Sequence, residues 1–489
     1  MLSAPELVEP SPALLARLRE IVGDRAYITG DALEPYTHDA TFMSGPVAAA
    51  LRPATTEQVS LVAAACNEAR VALVARGAGT SLVGGPVALA GGIILSLEAL
   101  DSIEIDAADA CAVVGAGVIN GQLQAAAAAQ GLMYPPDPGS VDMSTIGGNV
   151  ACNAGGMSCL KYGVTADYVL GMTVVLADGT VLDLGGRTRK RASGYRLAQV
   201  FVGSEGTLGI ITSVCLKLVP RPRHRAVAMV AYPTTVAAGD AVARLLGAGH
   251  LPCALELMDR GGLEMVWELL PQDLPRELAA ILIVEQDGSS AEVVMSELAE
   301  MVEILGGVEN RVAMDETQRE RLWRSRRSIG KVLMSMPKNF FAEDISVPIA
   351  RIPDMLARLD QIKADTGLHI PVVGHAGDGN LHPMILFADE ERGQVGPAAE
   401  RIFEAALELG GSISGEHGLG ALKRDHAARE HQDVALTLMG GMKRLFDPNG
   451  ILNPHKLFPE LPADGQFLER LPGWGVKAAG TKDRAELGA

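Results

Sequence analysis

The chain has 489 residues, 48% of them hydrophobic and 21% charged, which suffices for two or three domains with large cores and argues against disorder. The formal net charge of −17 argues against duplex nucleic acid as a partner, because neutralising phosphates requires clustered lysine and arginine. The six cysteines are scattered without zinc or C-x-x-C spacing, which predicts reduced thiols rather than a disulfide scaffold.

The N-terminal stretch MLSAPELVEPSPALLARLRE does not resemble a targeting sequence. Glu6 and Glu9 precede any basic residue, and no apolar core region follows. No apolar run in the chain approaches the roughly 18 residues of a membrane span. We therefore expect a soluble, cytoplasmic protein. Peripheral association with the inner membrane is the alternative location.

The predicted elements of the first 220 residues alternate with glycine-rich loops. In chain order they are a polar helix over about 12–22, a helix in TTEQVSLVAAACNEAR with Thr56 as its N-cap, a strand and loop in VALVARGAGTSLVGG, a strand, turn and alanine-rich helix over 111–132, a segment rich in proline and glycine over 133–156, and a hairpin whose strands at 169–176 and TVLDL flank a DG turn.

From residue 221 the pattern changes to an alternation of strands and helices. RPRHRAVAMVAYP and AAILIVEQDG predict strands, and helices are predicted at 234–250, 290–305 and 315–330. This alternation indicates an α+β second domain. The predicted domains are a first over 1–220, a second over 221–425, a C-terminal segment over 426–470 that packs on the first, and a disordered tail over 471–489.

Glycine-rich loops occur in four separate pieces of the first domain. Two of them are broken dinucleotide fingerprints, since VVGAGVIN has Asn120, and RGAGTSL has Leu82, at the third glycine position. Ordinary turns explain any single loop, but together the four can offer backbone N–H groups to a pyrophosphate. They lie at 77–85, 115–121, 147–156 and 203–209.

Two further glycine-rich stretches contain histidines, GHAGDGNLHP at 374–383 and GEHGLG at 415–420. His375, His382 and Glu416 make up a two-histidine, one-carboxylate set of the kind that binds Zn²⁺ or Mn²⁺. Sequence separation alone does not bring the three together. A buried, hydrogen-bonded role is the alternative for each histidine taken alone.

ARGAGTSLVGG, PPDPGSVDMSTIGGNVACNAGG with its following KYG, and FVGSEGTLGIIT resemble the FAD-binding domain of the vanillyl-alcohol-oxidase-like (PCMH-type) flavoproteins. With GHAGDGNLHP, GEHGLG and DPNGILNPHK, the chain is most similar to the glycolate oxidase flavin subunit and the FAD-linked D-lactate dehydrogenases. The resemblance covers residues 35–460. It implies an α+β fold in which a two-part FAD-binding domain is joined to an α+β substrate (cap) domain, and a C-terminal helical segment returns to the flavin.

The resemblance also implies which residues bind FAD. The first loop contains neither histidine nor cysteine, so the flavin is expected to be non-covalent. Lys456 is similar to a residue that returns to the flavin edge, whereas a structural role is expected for His455. The implied FAD-binding residues are Arg76, Gly77, Ala78, Gly79, Thr80, Ser81, Gly84 and Gly85 at the pyrophosphate, Asp137, Pro138, Ser140, Ile146, Gly147, Gly148, Asn149, Asn153, Ala154, Gly155 and Gly156 along the ribityl chain and ring, Glu205, Gly206, Gly209 and Ile211 at the adenine half, and Asn453 at the flavin edge.

For the reaction, the resemblance implies a divalent metal at His375, His382 and Glu416, and we expect His417 to be the base that accepts the substrate's hydroxyl proton. The substrate carboxylate needs a cationic clamp, and RLWRSRRSIG offers four arginines. Spacing alone leaves Arg324 and Arg327 on one helical face and does not choose between them. The W-x-x-R pattern of the family implies Arg326, while Arg321 and Arg324 are expected to solvate the helix.

Three departures from the pattern of D-2-hydroxyglutarate dehydrogenases narrow the predicted substrate. Gly330, Ala342 and Met384 stand where those enzymes have polar residues for a second carboxylate. A second carboxylate without partners is costly to bury, so a short D-2-hydroxy acid, D-lactate or glycolate, is expected. A D-2-hydroxyglutarate-type dehydrogenase, a flavin-free metal-dependent hydrolase and a non-catalytic electron-transfer flavoprotein remain the alternatives.

The expected partners follow from this chemistry. Electrons are expected to leave through a quinone, a cytochrome, a partner flavoprotein or an iron–sulfur subunit, because the chain contains nothing similar to an iron–sulfur site. A homodimer is compatible with these expectations.

Overall fold

The computed structural model describes residues 6–271, 274–336 and 339–459. They form two compact units: one consists of 6–154, 164–221 and 417–459, and the other of 155–163 and the described part of 222–416. The second unit thus ends at Glu416, nine residues before the predicted boundary at 425, and takes in 155–163. The expected disordered tail, 471–489, lies outside the described residues.

The strands of the described residues are between two and nine residues long. They are β1 (Tyr27–Ile28), β2 (Ala49–Leu51), β3 (Leu73–Arg76), β4 (Ile93–Ser96), β5 (Ile103–Asp106), β6 (Cys111–Gly115), β7 (Leu132–Met133), β8 (Val169–Val175), β9 (Val181–Gly185), β10 (Ile210–Lys217), β11 (Val219–Pro220), β12 (His224–Tyr232), β13 (Ala254–Asp259), β14 (Ala280–Gly288), β15 (Glu309–Val312), β16 (Asn339–Ala342), β17 (Ile345–Ser346), β18 (Val372–His375) and β19 (Asn380–Phe387).

The α-helices of the same residues include most of those expected from the sequence. They are α1 (Pro12–Val22), α2 (Thr56–Ala69), α3 (Asn120–Ala129), α4 (Ile146–Cys152), α5 (Cys159–Tyr162), α6 (Leu197–Phe201), α7 (Thr235–Gly247), α8 (Arg260–Met265), α9 (Ala291–Leu305), α10 (Glu316–Ser335), α11 (Ile352–Thr366), α12 (Arg392–Glu408), α13 (Ala427–Glu430) and α14 (Asp433–Phe446). In the part of the chain that the structure describes, none of them has the length and apolar character needed to cross a bilayer.

The first unit contains a four-stranded sheet, β1–β2–β4–β3, in which β2, β4 and β3 are parallel, and an antiparallel sheet, β5–β6–β10–β8–β9. The predicted hairpin is confirmed as β8 and β9. Helix α2 is capped by Thr55, whose side chain accepts from Gln58 N, so the N-cap predicted at Thr56 was one residue late. Thr55 can cap because its backbone is still extended, whereas Thr56 is already helical.

The second unit is built on an antiparallel sheet with the order β15–β12–β14–β13–β18–β19–β16, and β17 pairs with β19. Helices α7 and α9 pack on one face, where Gln286 Nε2 donates to Glu297 of α9. Successive side chains of a strand alternate between faces, so Glu285 and Asp287 point to the opposite face, as does Glu256 of β13. This opposite face carries the buried carboxylates of Glu256, Glu285 and Asp287. The α+β fold class is confirmed.

Candidate functional site

The histidines of GHAGDGNLHP lie on two adjacent antiparallel strands. His375 ends β18 opposite Asn380, and His382 lies on β19 opposite Val373. Residues directly opposite share a face, and the two rings therefore meet edge to face with centroids 5.2 Å apart. The glycines allow the tight turn: Gly379 has φ +85°, and a Cβ there would lie 2.1 Å from the carbonyl oxygen of Val347. The turn thus presents both imidazoles to one point.

Glu416 provides a carboxylate at the same point. Its Oε1 lies 3.3 Å from His375 Nε2 and 3.4 Å from His382 Nε2. One potential ligand atom from each of the three residues lies within 4.8 Å of the other two. Two imidazole nitrogens and a carboxylate oxygen at this spacing fit a divalent transition metal with open coordination positions. The structure therefore brings together the three residues of the predicted metal set.

A second carboxylate, Glu256, lies behind His375. Its Oε1 is 2.7 Å from His375 Nδ1, and its Oε2 accepts from Arg326 Nε at 2.8 Å. Sequence reasoning missed Glu256. The available signal was a glutamate inside the otherwise apolar run CALELM, because a charge at a fully buried strand position needs a partner.

The carboxylates also determine the electrostatics of the histidines. Burial opposes a charge on His375, but Glu256 and Glu416 outweigh it and hold the pKa of His375 well above its usual value. Burial likewise opposes a charge on Glu416, yet His375 and His382 bring its pKa well below the usual range. Burial raises the pKa of the nearby Asp378 to about 6. The group is therefore held together by opposite charges, and a bound cation would replace protons there.

The arginines of α10 have different surroundings. The Arg326 side chain is only 11% exposed and reaches the sheet, whereas Arg321 and Arg324 are exposed and Arg327 pairs with Glu320. Trp323 is buried and donates Nε1–H to Glu285 Oε2 at 2.5 Å, which fixes this side of the helix on the sheet. Of these four arginines, Arg326 is the one that contacts the histidine cluster, through Glu256.

The three positions that depart from the hydroxyglutarate pattern are placed as follows. Ala342 on β16 lies directly opposite Met384 on β19. Met384 is two residues beyond His382 and therefore shares its face of the sheet. Gly330 lies exposed on α10. The surface next to His382 is thus apolar at Ala342 and Met384.

In the first unit, the predicted pyrophosphate loop follows β3, which ends at Arg76. The Arg76 side chain is buried, and its Nη2 donates to the carbonyl of Pro35, so its guanidinium is turned inward. Asp39 holds the other end of the loop, because its Oδ2 accepts from Gly84 N at 2.9 Å. Burial raises the pKa of Asp39 to about 6. No local pattern pointed to Asp39, because its partner Gly84 is 45 residues away in the chain.

The C-terminal segment joins two of the predicted flavin loops. Asn453 Nδ2 donates to the carbonyls of Gly85 at 3.0 Å and Glu205 at 2.7 Å. The Glu205 carboxylate accepts from the backbone N–H groups of Leu419 and Gly420, and burial raises its pKa to about 7. The Glu205 side chain therefore fixes the GEHGLG stretch. Lys456 Nζ donates to the carbonyl of Val87, which fastens the same segment to the first loop.

Several buried polar atoms along these loops have no hydrogen-bond partner among the described residues. They include Asn149 Nδ2, Ser144 Oγ and Asn453 Oδ1. Leaving such a group unpaired costs about 1–3 kcal/mol, so a polar ligand or water is expected to satisfy it. Asn153, Glu205 and Asn453 also have positive φ, a strained conformation that clusters at functional sites. These features fit a long polar cofactor.

The remaining predicted flavin residues are distributed over both units. The structure assigns Gly155 and Gly156 to the second unit and the others to the first. Asp137, Pro138 and Ser140 precede α4, whose N-cap Thr145 accepts from Gly148 N, and Ile211 is buried on β10. His417 is half-buried and is the first residue of the segment that returns to the first unit.

Comparisons with known proteins place both parts of the chain in described families. Residues 47–185 match the family model described as FAD binding domain, and residues 221–457 match the model for FAD linked oxidases, C-terminal domain. Glycolate oxidase subunit GlcD of Bacillus subtilis (strain 168) is 38% identical, over 86% of this chain and 92% of its own length. D-lactate dehydrogenase of Anaerostipes hadrus is 34% identical, over 91% of this chain and 97% of its own length.

Solved structures show the same fold at much lower sequence identity. The 4-ethylphenol oxidase from Gulosibacter chungangensis superposes with a TM-score of 0.74 at 19% identity, over 94% of this chain and 99% of that one. p-Cresol methylhydroxylase gives a TM-score of 0.74, also at 19% identity, over 92% of this chain and 97% of that one. The PCMH-type architecture expected from the sequence is confirmed.

Proposed function

Because the chain belongs to the family of FAD-linked oxidases, we propose that it oxidises a short 2-hydroxy acid, either D-lactate or the achiral glycolate, to the 2-oxo acid with non-covalent FAD and a divalent metal. The observation that carries this proposal is the cluster of His375, His382 and Glu416, with Arg326 attached to it through Glu256. The names of the relatives, glycolate oxidase subunit and D-lactate dehydrogenase, support the substrate class.

FAD fits the loops of the first unit. Asn149, Ser144 and Asn453 offer buried polar atoms, and Asn453 and Asp39 hold the loop around 77–85 in place. Bound FAD would supply the acceptor for the hydride that leaves the substrate carbon. The absence of histidine and cysteine from 77–85 supports non-covalent binding.

Zn²⁺ or Mn²⁺ fits the cluster of the second unit. His375 would bind it through Nε2, together with His382 and Glu416, and the bound ion would supply the Lewis acidity that makes the substrate hydroxyl acidic near neutral pH. His375 is already oriented for this, since its Nδ1 is occupied by Glu256. His417, which follows Glu416 directly in the chain, is proposed to accept the hydroxyl proton on its imidazole.

Arg326 is proposed to bind the substrate carboxylate. Its Nε donates to Glu256, and its two terminal nitrogens make no hydrogen bond to the described residues, so they can form a bidentate pair. Ala342 and Met384 support a short substrate, since neither can pair with a second carboxylate. Electrons would leave through a quinone, a cytochrome, a partner flavoprotein or an iron–sulfur subunit.

Anaerobic reduction of the bound flavin tests this function. Purified protein is mixed with D-lactate, glycolate, L-lactate and D-2-hydroxyglutarate in turn, and the flavin absorbance is followed. D-lactate or glycolate should bleach the flavin at least tenfold faster than the other two acids. Fastest reduction by D-2-hydroxyglutarate would contradict the short-substrate proposal. A colourless protein would favour a metal hydrolase, and a yellow one that no acid reduces would favour an electron-transfer role.

A further inference from the structure

Glu256 is a charged residue at one of the least accessible positions of the second unit. It lies in the middle of β13, between two other strands, and its side chain is fully buried. An ionised carboxylate in such a place is strongly destabilising unless it is paired and hydrogen-bonded. Both of its oxygens are paired, one with His375 and one with Arg326. The position is therefore tolerated through these two partners.

The two contacts have a definite polarity. An ionised carboxylate only accepts hydrogen bonds, so His375 must carry a proton on Nδ1, and Nε2 is then the atom left to face Glu416 and His382. At the other oxygen, Arg326 donates through Nε, which orients the guanidinium plane and leaves both terminal nitrogens for another acceptor. One carboxylate thus orients two side chains with different proposed tasks.

We propose that Glu256 is a positioning residue that couples metal binding to substrate binding, by fixing the tautomer of His375 and the orientation of Arg326. This inference rests on the proposed function and adds to it a residue outside the proposed ligand and clamp sets. It implies that metal affinity and the KM for the hydroxy acid respond together to a change at Glu256.

Glu256→Gln isolates this role, because an amide has one accepting and one donating end. If its N–H faces His375, Nδ1 must accept and the proton moves to Nε2, where it blocks a metal. If its N–H faces Arg326, two donors meet. In either orientation one of the two contacts is lost, and the negative charge that supports both His375 and Arg326 is lost with it. Changes behind a metal-ligating histidine typically cost 10- to 100-fold in metal affinity.

The matched control is Asp259→Asn. Asp259 is also buried on β13, pairs with Lys363 at 2.8 Å, and lies three residues from Glu256, hence on the other face of the sheet. It separates the general effect of removing a buried, paired carboxylate from the specific effect on the cluster. Glu256→Asp, which keeps the charge but is too short to hold both partners, serves if the glutamine variant does not fold.

Mn²⁺ affinity is measured by calorimetric titration of FAD-loaded protein after chelation. FAD per chain, Tm, and kcat and KM for D-lactate and glycolate are measured on the same protein after Mn²⁺ has been restored to saturation. We expect Glu256→Gln to weaken the Mn²⁺ Kd by 10- to 100-fold and to raise KM at least fivefold with FAD content unchanged. Asp259→Asn should lower Tm yet keep the Mn²⁺ Kd within twofold of wild type.

Two different results would overturn the inference. They also distinguish a failure of the inference alone from a failure of the proposed function. If Glu256→Gln, or the aspartate variant in its place, keeps Kd and KM within twofold while His382→Ala loses Mn²⁺, the inference fails alone. If wild-type protein binds no divalent ion, the metal part of the proposed function fails, and the inference fails with it.

Discussion

Arg326 and Arg324 lie two residues apart on α10, yet only Arg326 reaches the buried face of the sheet. A bidentate pair with a substrate carboxylate depends on the fork geometry of the guanidinium as well as on its charge. Arg326→Lys should therefore lose part of the free energy that this contact contributes to catalysis, and Arg326→Ala should lose all of it. A charge-assisted contact is worth about 1.5–3 kcal/mol, which corresponds to about one to two decades in kcat/KM. Steady-state kinetics with D-lactate and glycolate measure this.

Arg324→Ala is the control for that prediction, because its side chain is exposed on the same helix. It should stay within about twofold of wild type, and FAD content should be unchanged in all three variants. A crippled Arg324→Ala beside a nearly normal Arg326→Ala would mean that the W-x-x-R assignment is wrong.

His426 offers a prediction of how stability depends on pH. Burial, with Arg429 and Lys423 nearby, lowers the pKa of His426 to about 4 from 6.5. The unfolded chain therefore binds this proton at a higher pH than the folded one, so the unfolding free energy falls as pH drops from 6.5 towards 4. Between pH 7.5 and 5.0 the wild type should lose about 2 kcal/mol more than His426→Gln, measured by urea unfolding. Equal losses of unfolding free energy in the wild type and His426→Gln would contradict the lowered pKa of His426.

Candidate functional residues could be predicted from the sequence where their neighbours in the chain are unusual. They could not be predicted where their role depends on a partner far away in the chain. His375, His382 and Glu416 were predicted as candidate ligands because glycine-rich loops are poor places for structural histidines, and the resemblance supported the same set. Glu256 and Asp39 were not found, because each looks like an ordinary acid until its buried partners are known. Proximity to the adenine stays a prediction for Glu205, and the sequence did not indicate that its carboxylate accepts from the N–H groups of Leu419 and Gly420.

At the scale of elements, the turn between β18 and β19 holds the two histidines in register. Gly379 has a left-handed backbone conformation, and Gly379→Ala would place a methyl group against the Val347 carbonyl. We therefore expect the free energy of unfolding to fall by about 1–3 kcal/mol. Thermal unfolding measures it, and the Mn²⁺ affinity should fall as well because the register of His382 changes.

Gly330→Ala is the matched control for the turn. Gly330 is exposed within α10 and has open space around its Cα, so alanine there should stabilise the helix by about 0.5–1 kcal/mol. Destabilisation of similar size in both variants would show that the turn has no special role.

Helices and strands with strong periodicity were predictable, and the boundary of the second unit was not. GEHGLG reads as one motif, yet the boundary between the compact units falls between Glu416 and His417. Gly420 and Ala421, which follow this boundary, donate hydrogen bonds to Glu205 and Val83 of the first unit, more than 200 residues earlier in the chain. No local pattern carries that information.

For the whole molecule, the loops proposed for FAD and the cluster proposed for the metal belong mainly to different units. His382→Ala should therefore keep its FAD and lose most turnover, and exhaustive chelation should inactivate the wild type without releasing flavin. Absorbance spectra and metal analysis of the same samples check both. Loss of the yellow colour with metal retained would contradict the assignment of His382, and full activity after metal removal would contradict the Lewis-acid role.

The pairing of β3 with residues near the C-terminus has a consequence for biosynthesis. Strand β3 ends its sheet, and its Leu73 is covered by backbone hydrogen bonds to Ile451 and Asn453. A ribosome adding 5–20 residues per second needs about 20–80 seconds to pass from one to the other. During that interval the emerging chain presents an unpaired, apolar strand edge, which is a template for association with other chains. Slow translation or scarce chaperones should therefore lower the yield of this protein before any fault in the finished fold does.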